Sequence, residues 1–414
     1  MKWNGTNYRL RIEARLDNPR WIGVVSSIFG ILFALIVGGF VLKAAGASDP
    51  IGTYRLIFKE GFGTFADWQA GFQAWMTNTS CPKGMLCFGP LSDTLVKASP
   101  VLLTTLACII AFRMKLWNIG ADGQMFMGAW AATGVAVFLL PKTTDRVVMM
   151  TAMALAGISA GLIYGVIPGF LKARLNINEI ITTLMLNYIA YKWIEFFVVV
   201  GPWSIGDFES TGRFPAPATW PRLTELAKQY PITAGLTVHP GIFLGVIAAI
   251  LLAWILFRSR WGYEIRVIGD NPRAARYAGI SLEKNIILVM ALSGALAGLA
   301  GMNEVAALRE LNGRFQRGYG FTGVIVAWLA RLNPLAAILV SILFGGLLVG
   351  TKLIQPQGIS SMLQGVILFI VIGTELLFHY RIELEKVETV PVPIPNNGEL
   401  PTESESQAEA SHDR

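Results

Sequence analysis

The chain has 414 residues, of which 53% are hydrophobic and only 15% charged, with a formal net charge of +7. A soluble domain carries about 25% charged residues, so a water-facing globule is excluded for want of polar side chains to cover it. The positive balance does not indicate nucleic acid as a partner, because no RNA- or DNA-binding motif accompanies it.

Lys2, Arg9, Arg11, Arg15 and Arg20 precede an apolar run from Trp21 to about Gly46. That run exceeds the roughly 7–15 residues of a signal-peptide core, so it predicts an uncleaved first span after a cytoplasmic segment 1–20. Further apolar runs predict spans at about 94–112, 117–140, 147–170, 180–200, 241–257, 285–308, 320–332, 335–352 and 360–379, ten in all. Runs of this kind match a hydrocarbon layer about 30 Å thick at 1.5 Å rise per residue. Forty-three glycines fit close helix packing in a bilayer. The fold class is therefore all-α integral membrane, with a transmembrane domain over 21–380. The eighth span is short and interrupted by Gly320, Gly323 and Asn333-Pro334, the pattern of a broken or re-entrant element.

An even count returns both termini to the cytoplasm. The loops placed inside, 1–20, 113–116, 171–179 and 258–284, hold 5, 2, 2 and 6 Lys or Arg, in the sense of the positive-inside rule. Two long outer segments remain, 47–93 and 201–240. The first carries Cys81 and Cys87, either a small disulfide loop or two free thiols. From Arg381 the tail holds eight acids against three bases and the run Val390-Pro391-Val392-Pro393-Ile394-Pro395. Such a segment, 381–414, cannot bury apolar surface and is expected to be disordered. A faint internal echo, GQMFMGAWAATG at 123–134 against GFTGVIVAWLARL at 320–332, predicts an inverted repeat of spans 2–5 and 7–10.

Catalytic chemistry is thinly provided. Three histidines, His239, His379 and His412, lie in loops or at span ends, so no metal site or catalytic triad is expected. No G-x-x-x-x-G-K-[ST] loop occurs, so the chain is not expected to hydrolyse ATP itself. Intramembrane polar residues are costly and point to a function or to helix–helix hydrogen bonds. Asn118, Asp122, Gln124, Asn187, Asn303 and Glu304 are of this kind and are the candidate lining of a translocation path. In the basic loop 258–284, Asp270, Asn271, Pro272, Arg273, Ala274, Ala275, Arg276 and Gly279 predict a short helix started by Asn-Pro and ended by Gly. That helix is either a docking element or a surface helix in lipid headgroups. An ion-coupled secondary transporter and a passive channel are rival readings. Against the first, the acids in or near spans are Asp122, Glu195 and Glu304, with Lys192 as the nearby base.

Four stretches carry a family resemblance: NIGADGQMFMGA from Asn118, NEIITTLMLNYIA from Asn178, GDNPRAARYAGIS from Gly269 and GFTGVIVAWLARLNPLAAILVSILFGGLLVG from Gly320. Over about 20–380 the chain resembles ABC-importer permeases of the ribose and branched-chain amino acid superfamily, within it the nucleoside (simple sugar-like) subgroup. The resemblance implies a bacterial inner-membrane permease subunit that moves a small polar solute, a nucleoside, with a sugar or branched-chain amino acid as alternatives. It implies as partners a second permease subunit (a paralogue), a cytoplasmic ABC ATPase, an extracytoplasmic substrate-binding protein and the lipid bilayer. ATP and Mg would then be used by the ATPase, with no cofactor in this chain, and the loop 258–284 would carry ATPase coupling. Asp122 stands where the subgroup usually has Glu, Trp328 where it has a smaller residue, and the Cys81–Cys87 loop is an addition.

Overall fold

The computed structural model describes residues 2–3, 6–14, 20–44, 46, 49–205, 209–313, 315, 318–352, 354 and 358–386. The chain divides into two compact units, residues 1–26 with 373–414, and residues 27–372. In the smaller unit, strand β1 (Lys2–Trp3) pairs antiparallel with β2 (Thr6–Ala14), and β2 pairs antiparallel with β3 (Tyr380–Lys386). The register sets Arg9 opposite Glu385 and Arg11 opposite Glu383. Residues 381–386 of the segment expected to be disordered are thus in β3. The rest of that segment, 387–414, lies outside the described residues.

The helices in chain order are α1 (Arg20–Ala44), α2 (Pro50–Phe62), α3 (Phe65–Met76), α4 (Gly89–Arg113), α5 (Ala121–Gly134), α6 (Arg146–Leu175), α7 (Glu179–Glu195) and α8 (Gly241–Arg258). Then follow α9 (Arg260–Asp270), α10 (Pro272–Tyr277), α11 (Leu282–Leu308), α12 (Tyr319–Leu329), α13 (Pro334–Gly350) and α14 (Ile359–His379). Each of the ten expected spans coincides with a helix. Among the described residues five are long and apolar enough to cross a bilayer, by length and composition: α4, α6, α8, α11, and α7 prolonged to Val200 by a π-helical turn. α5 is likewise prolonged by a π turn, Val135–Leu139.

Three helices were not expected. α9 fills the first part of the loop 258–284, ahead of the short helix read at Asn271–Gly279. α2 and α3 lie in the segment 47–93 read as an outer loop. The charges Arg55, Lys59 and Glu60 interrupt the apolar pattern of α2, so no membrane-length run announces it. Yet α2 packs on α13 closely enough that a Cβ added at Gly61 would overlap the carbonyl oxygen of Gly346.

The helices of spans 2–5 and 7–10 pack reciprocally. α4, the first helix of one half, packs chiefly on α13, the third of the other; α11 packs chiefly on α6 in the same relation. The α6–α11 contact is backbone to backbone. An added Cβ at Gly161 would overlap the carbonyl oxygen of Gly294, and one at Gly298 that of Gly157. Without a hydrophobic drive between helices in lipid, this close approach is the main source of their attraction.

α12 has 11 residues, about 17 Å at 1.5 Å per residue, half a hydrocarbon core. It stops because Arg331 and Leu332 both take φ of 54° and Pro334 cannot donate to the preceding turn. Asn333 then caps α13 by accepting from the Leu335 N–H at 3.0 Å.

Candidate functional site

Two short helices begin face to face inside the bundle. The first N–H groups of a helix have no partner within it, and its N-terminus carries a partial positive charge. Asp122, in the first turn of α5, answers both needs for α12. Its Oδ2 accepts from the Gly318 N–H at 2.9 Å and its Oδ1 from the Gly320 N–H at 2.6 Å. The Tyr191 hydroxyl of α7 donates to Oδ2 at 2.5 Å. Gly318 sits at φ 102°, a conformation that suits glycine. A side chain at Gly320 would collide with the Asp122 backbone.

The N-terminus of α5 is held from α7. Asn187 Oδ1 accepts from the Gly123 N–H at 2.7 Å, and its Nδ2 donates to the Ile119 carbonyl at 2.9 Å. Asn118 sits just before this turn. It donates to Gln124 Oε1 at 3.0 Å and to Ser293 Oγ at 2.8 Å, and its Oδ1 accepts from the Gly120 N–H at 2.9 Å.

Toward the other end of α11 lies a buried charge pair. Lys97 Nζ of α4 is 3.0 Å from Glu304 Oε1, and the Tyr319 hydroxyl donates to the same oxygen at 3.1 Å. Lys97 also donates to the Tyr319 hydroxyl at 2.7 Å. Next to them Asn303 donates to Ser99 Oγ at 2.7 Å. Asn303 Oδ1, His239 Nε2 and Trp220 Nε1 have no partner among the described residues.

All six residues proposed for the path are buried. They do not gather around one space but divide into the Asn118–Gln124 network, the Asp122 and Asn187 caps, and the Asn303–Glu304 end. Each partner on another helix was missed by the sequence reading: Tyr191, Ser293, Ser99, Tyr319 and Lys97. Serines and tyrosines are common in spans and carry no signal alone. Lys97 did carry one, since it lies inside the second predicted span, and Lys192 is therefore not the only base near the acids.

The basic loop folds as its residues predict. Asn271 caps α10, accepting from the Arg273 N–H at 3.0 Å and the Ala274 N–H at 3.1 Å. Gly279 follows at φ 74°. Ala275 is fully buried, whereas Tyr277 is 94% exposed, so the outward face of this helix is not the one that Ala275 marks. The end of α9 rests on the end of α4, where a Cβ at Gly269 would overlap the Arg113 carbonyl oxygen. Beneath α10, a cavity of about 890 Å³ is lined by Lys115, Lys172, Glu179, Asp270, Arg276 and Glu283 among others. At the opposite end of α4, Cys81 and Cys87 form a disulfide. Among the described residues no group of His, Cys, Asp and Glu has the makings of a metal site.

Comparison with known proteins agrees with this architecture. Residues 91–372 match the family described as branched-chain amino acid transport system / permease component. The chain is 31% identical to the glucose ABC transporter permease protein TsgB13 of Haloferax volcanii, over 91% of this chain and 94% of that one. It is 34% identical to the guanosine ABC transporter permease protein NupP of Bacillus subtilis, over 68% and 79% of the two chains. The nucleoside ABC transporter permease protein NupB of Lactococcus lactis is 28% identical over 81% and 86%. The chain thus belongs to the branched-chain amino acid transport system / permease component family and is the multi-pass membrane permease subunit of an ABC importer, a transport component rather than an enzyme.

Proposed function

We propose that this permease imports nucleosides, with guanosine-like purine nucleosides as the first to test. The observation that carries the reading is the 34% identity to a guanosine permease. A sugar is the second reading, favoured by the glucose permease that matches 91% of the chain. Both ligands present a ring of hydroxyls, which amide side chains can pair as donors and acceptors alike.

The working assembly contains a paralogous second permease, a cytoplasmic ATPase that uses ATP and Mg, and an extracytoplasmic binding protein. Both termini lie in the cytoplasm of a bacterial inner membrane. The ATPase docks on α10 through Arg273, Arg276 and Tyr277, whose exposure and charge suit a protein groove. Asn118, Asp122, Gln124, Asn187, Asn303 and Glu304 shape the path by fixing the helix ends that border it. Helix N-termini inside a bundle are where transporters commonly meet their solutes.

Reconstitution with these partners in proteoliposomes tests the reading. Labelled guanosine is expected to accumulate only with ATP inside, on the ATPase side, and binding protein outside. Accumulation of glucose alone would establish the sugar reading, and uptake driven by an ion gradient without ATP would end both. Arg273→Glu with Tyr277→Asp should release the ATPase while leaving the permease in the membrane. Asn118→Leu and Asn187→Leu should lower uptake while leaving assembly intact; normal uptake, or no assembly, would make these residues packing ties alone.

A further inference from the structure

α3 is amphipathic in an unusual sense. Its small residues Ala70, Gly71 and Ala74 are buried, while Phe65, Trp68, Phe72, Trp75 and Met76 face outward, Phe65 at 86% and Trp75 at 61% exposure. The spacing of three, four and three residues keeps the aromatics on one side of the helix.

The outward face is fixed. Thr64 accepts from the Asp67 N–H at 3.2 Å, while Asp67 accepts from the Thr64 N–H at 2.9 Å and from the Leu86 N–H at 2.8 Å. That last bond ties α3 to the loop closed by Cys81–Cys87. A Cβ at Gly71 would press on the Phe88 ring at 3.0 Å. The helix therefore cannot roll to hide its aromatics without breaking a capping box and losing its seat on Phe88.

The aromatic face continues into a cavity of about 800 Å³ bounded by α1, α2, α13 and α14, in which Phe65, Phe58, Leu35, Leu347 and Leu363 supply apolar wall. At its edge stand Arg55 and Lys59, one helical turn apart and exposed, with no ion-pair partner among the described residues. The carboxylate near Lys59, Asp67, is already bonded to Thr64 and Leu86, so an apolar slot beside two cations outside any ion pair among the described residues matches a phospholipid, whose chains are apolar and whose phosphate is negative. Trp and Phe are the residues that settle at the headgroup boundary.

We propose that α2 and α3 form a docking surface for an anionic phospholipid of the leaflet on this side. An acyl chain fills the cavity, Arg55 and Lys59 hold the phosphate, and α3 lies in the headgroup layer on its aromatic face. This rests on the membrane location alone and is independent of which solute is carried.

The assembled transporter in nanodiscs tests it in two ways. With acyl chains brominated near the headgroup, the fluorescence difference between the native protein and Trp75→Phe is expected to fall by more than half. By native mass spectrometry, phosphatidylglycerol should be retained over phosphatidylcholine, and Arg55→Gln with Lys59→Gln should reduce that preference several-fold. An unquenched Trp75 that becomes quenched once the second permease subunit is removed would make this face a protein interface and overturn the proposal. Equal retention of both lipids by the native protein would overturn it as well.

Discussion

In the first half of the bundle α5 starts beneath Asn187 and α6 closes against α11 through glycines. In the second half α12 starts beneath Asp122 and α13 closes against α4, where a Cβ at Gly345 would meet Thr94 O and Ala98. The short helix of each half is thus capped from the first half, α5 by a neutral amide of α7 and α12 by a carboxylate of α5. The polar neighbours differ too. Asn118 and Gln124 complete their bonds with each other and Ser293, whereas Asn303 keeps an Oδ1 beside His239 that has no partner among the described residues. Satisfied networks stiffen a structure, whereas a buried polar atom without a partner costs about 1–3 kcal/mol. The α5 side is thus the fully bonded one, and the Asn303–His239 side carries polar atoms with no partner among the described residues.

The largest expected effect comes from prising the halves apart. Gly161→Leu must place a branched side chain where the Gly294 carbonyl already lies. With no slack between backbones, folded protein should be lost, read as absence of a monodisperse peak in detergent. Gly365→Ala, with nothing within 4 Å of the added carbon, should behave as the native chain. If Gly161→Leu also folds normally, the glycine seam does not hold the halves together.

The buried pair Lys97–Glu304 comes next. Removing one partner of such a pair costs about 3–5 kcal/mol, while exchanging both for apolar groups is often near neutral. Lys97→Met alone should therefore lower the unfolding midpoint strongly, and Lys97→Met with Glu304→Leu should restore much of it. The Tyr319 hydroxyl loses a partner in the double variant, so full recovery is not expected. Additive effects of the two changes would show that the pair is not coupled.

Much of this was legible in the sequence. The helices at the ten spans, the half-length of α12 and the Asn271 and Gly279 caps of α10 follow from apolar runs, proline, glycine and cap residues, all local signals. The pairings were not legible, because Lys97 and Glu304 are 207 positions apart and nothing local marks one for the other. The six candidate residues were each recognised as polar inside the membrane. Their division into separate knots depends on which helix faces which. α2 was hidden by its own charges. Ala275 shows the opposite failure: a small residue in a docking motif gave no sign that it points inward.

The smallest effect is one of pH, and it bears on the less satisfied end of the bundle. His239 lies just before α8, outside the spans, and stacks at 6.0 Å on Trp220. Burial, with the neighbouring cations Arg222 and Lys97, pushes its imidazole down to about 4. The unfolded chain takes up its proton near pH 6.5, whereas the folded one resists until about 4. Above pH 6.5 both states are neutral and His239 adds no pH dependence. As pH falls from 6.5 toward 4, the unfolded state alone gains a proton, so stability declines by at most about 1.4 kcal/mol per unit. His239→Gln should remove that decline, so the native midpoint should fall relative to the variant's between pH 7.5 and 5.5. If the two fall in parallel over this range, His239 is protonated in the folded protein as easily as in the unfolded chain. The end of α11 would then be open to water, and the contrast with the closed Asn118 network would rest on solvent access.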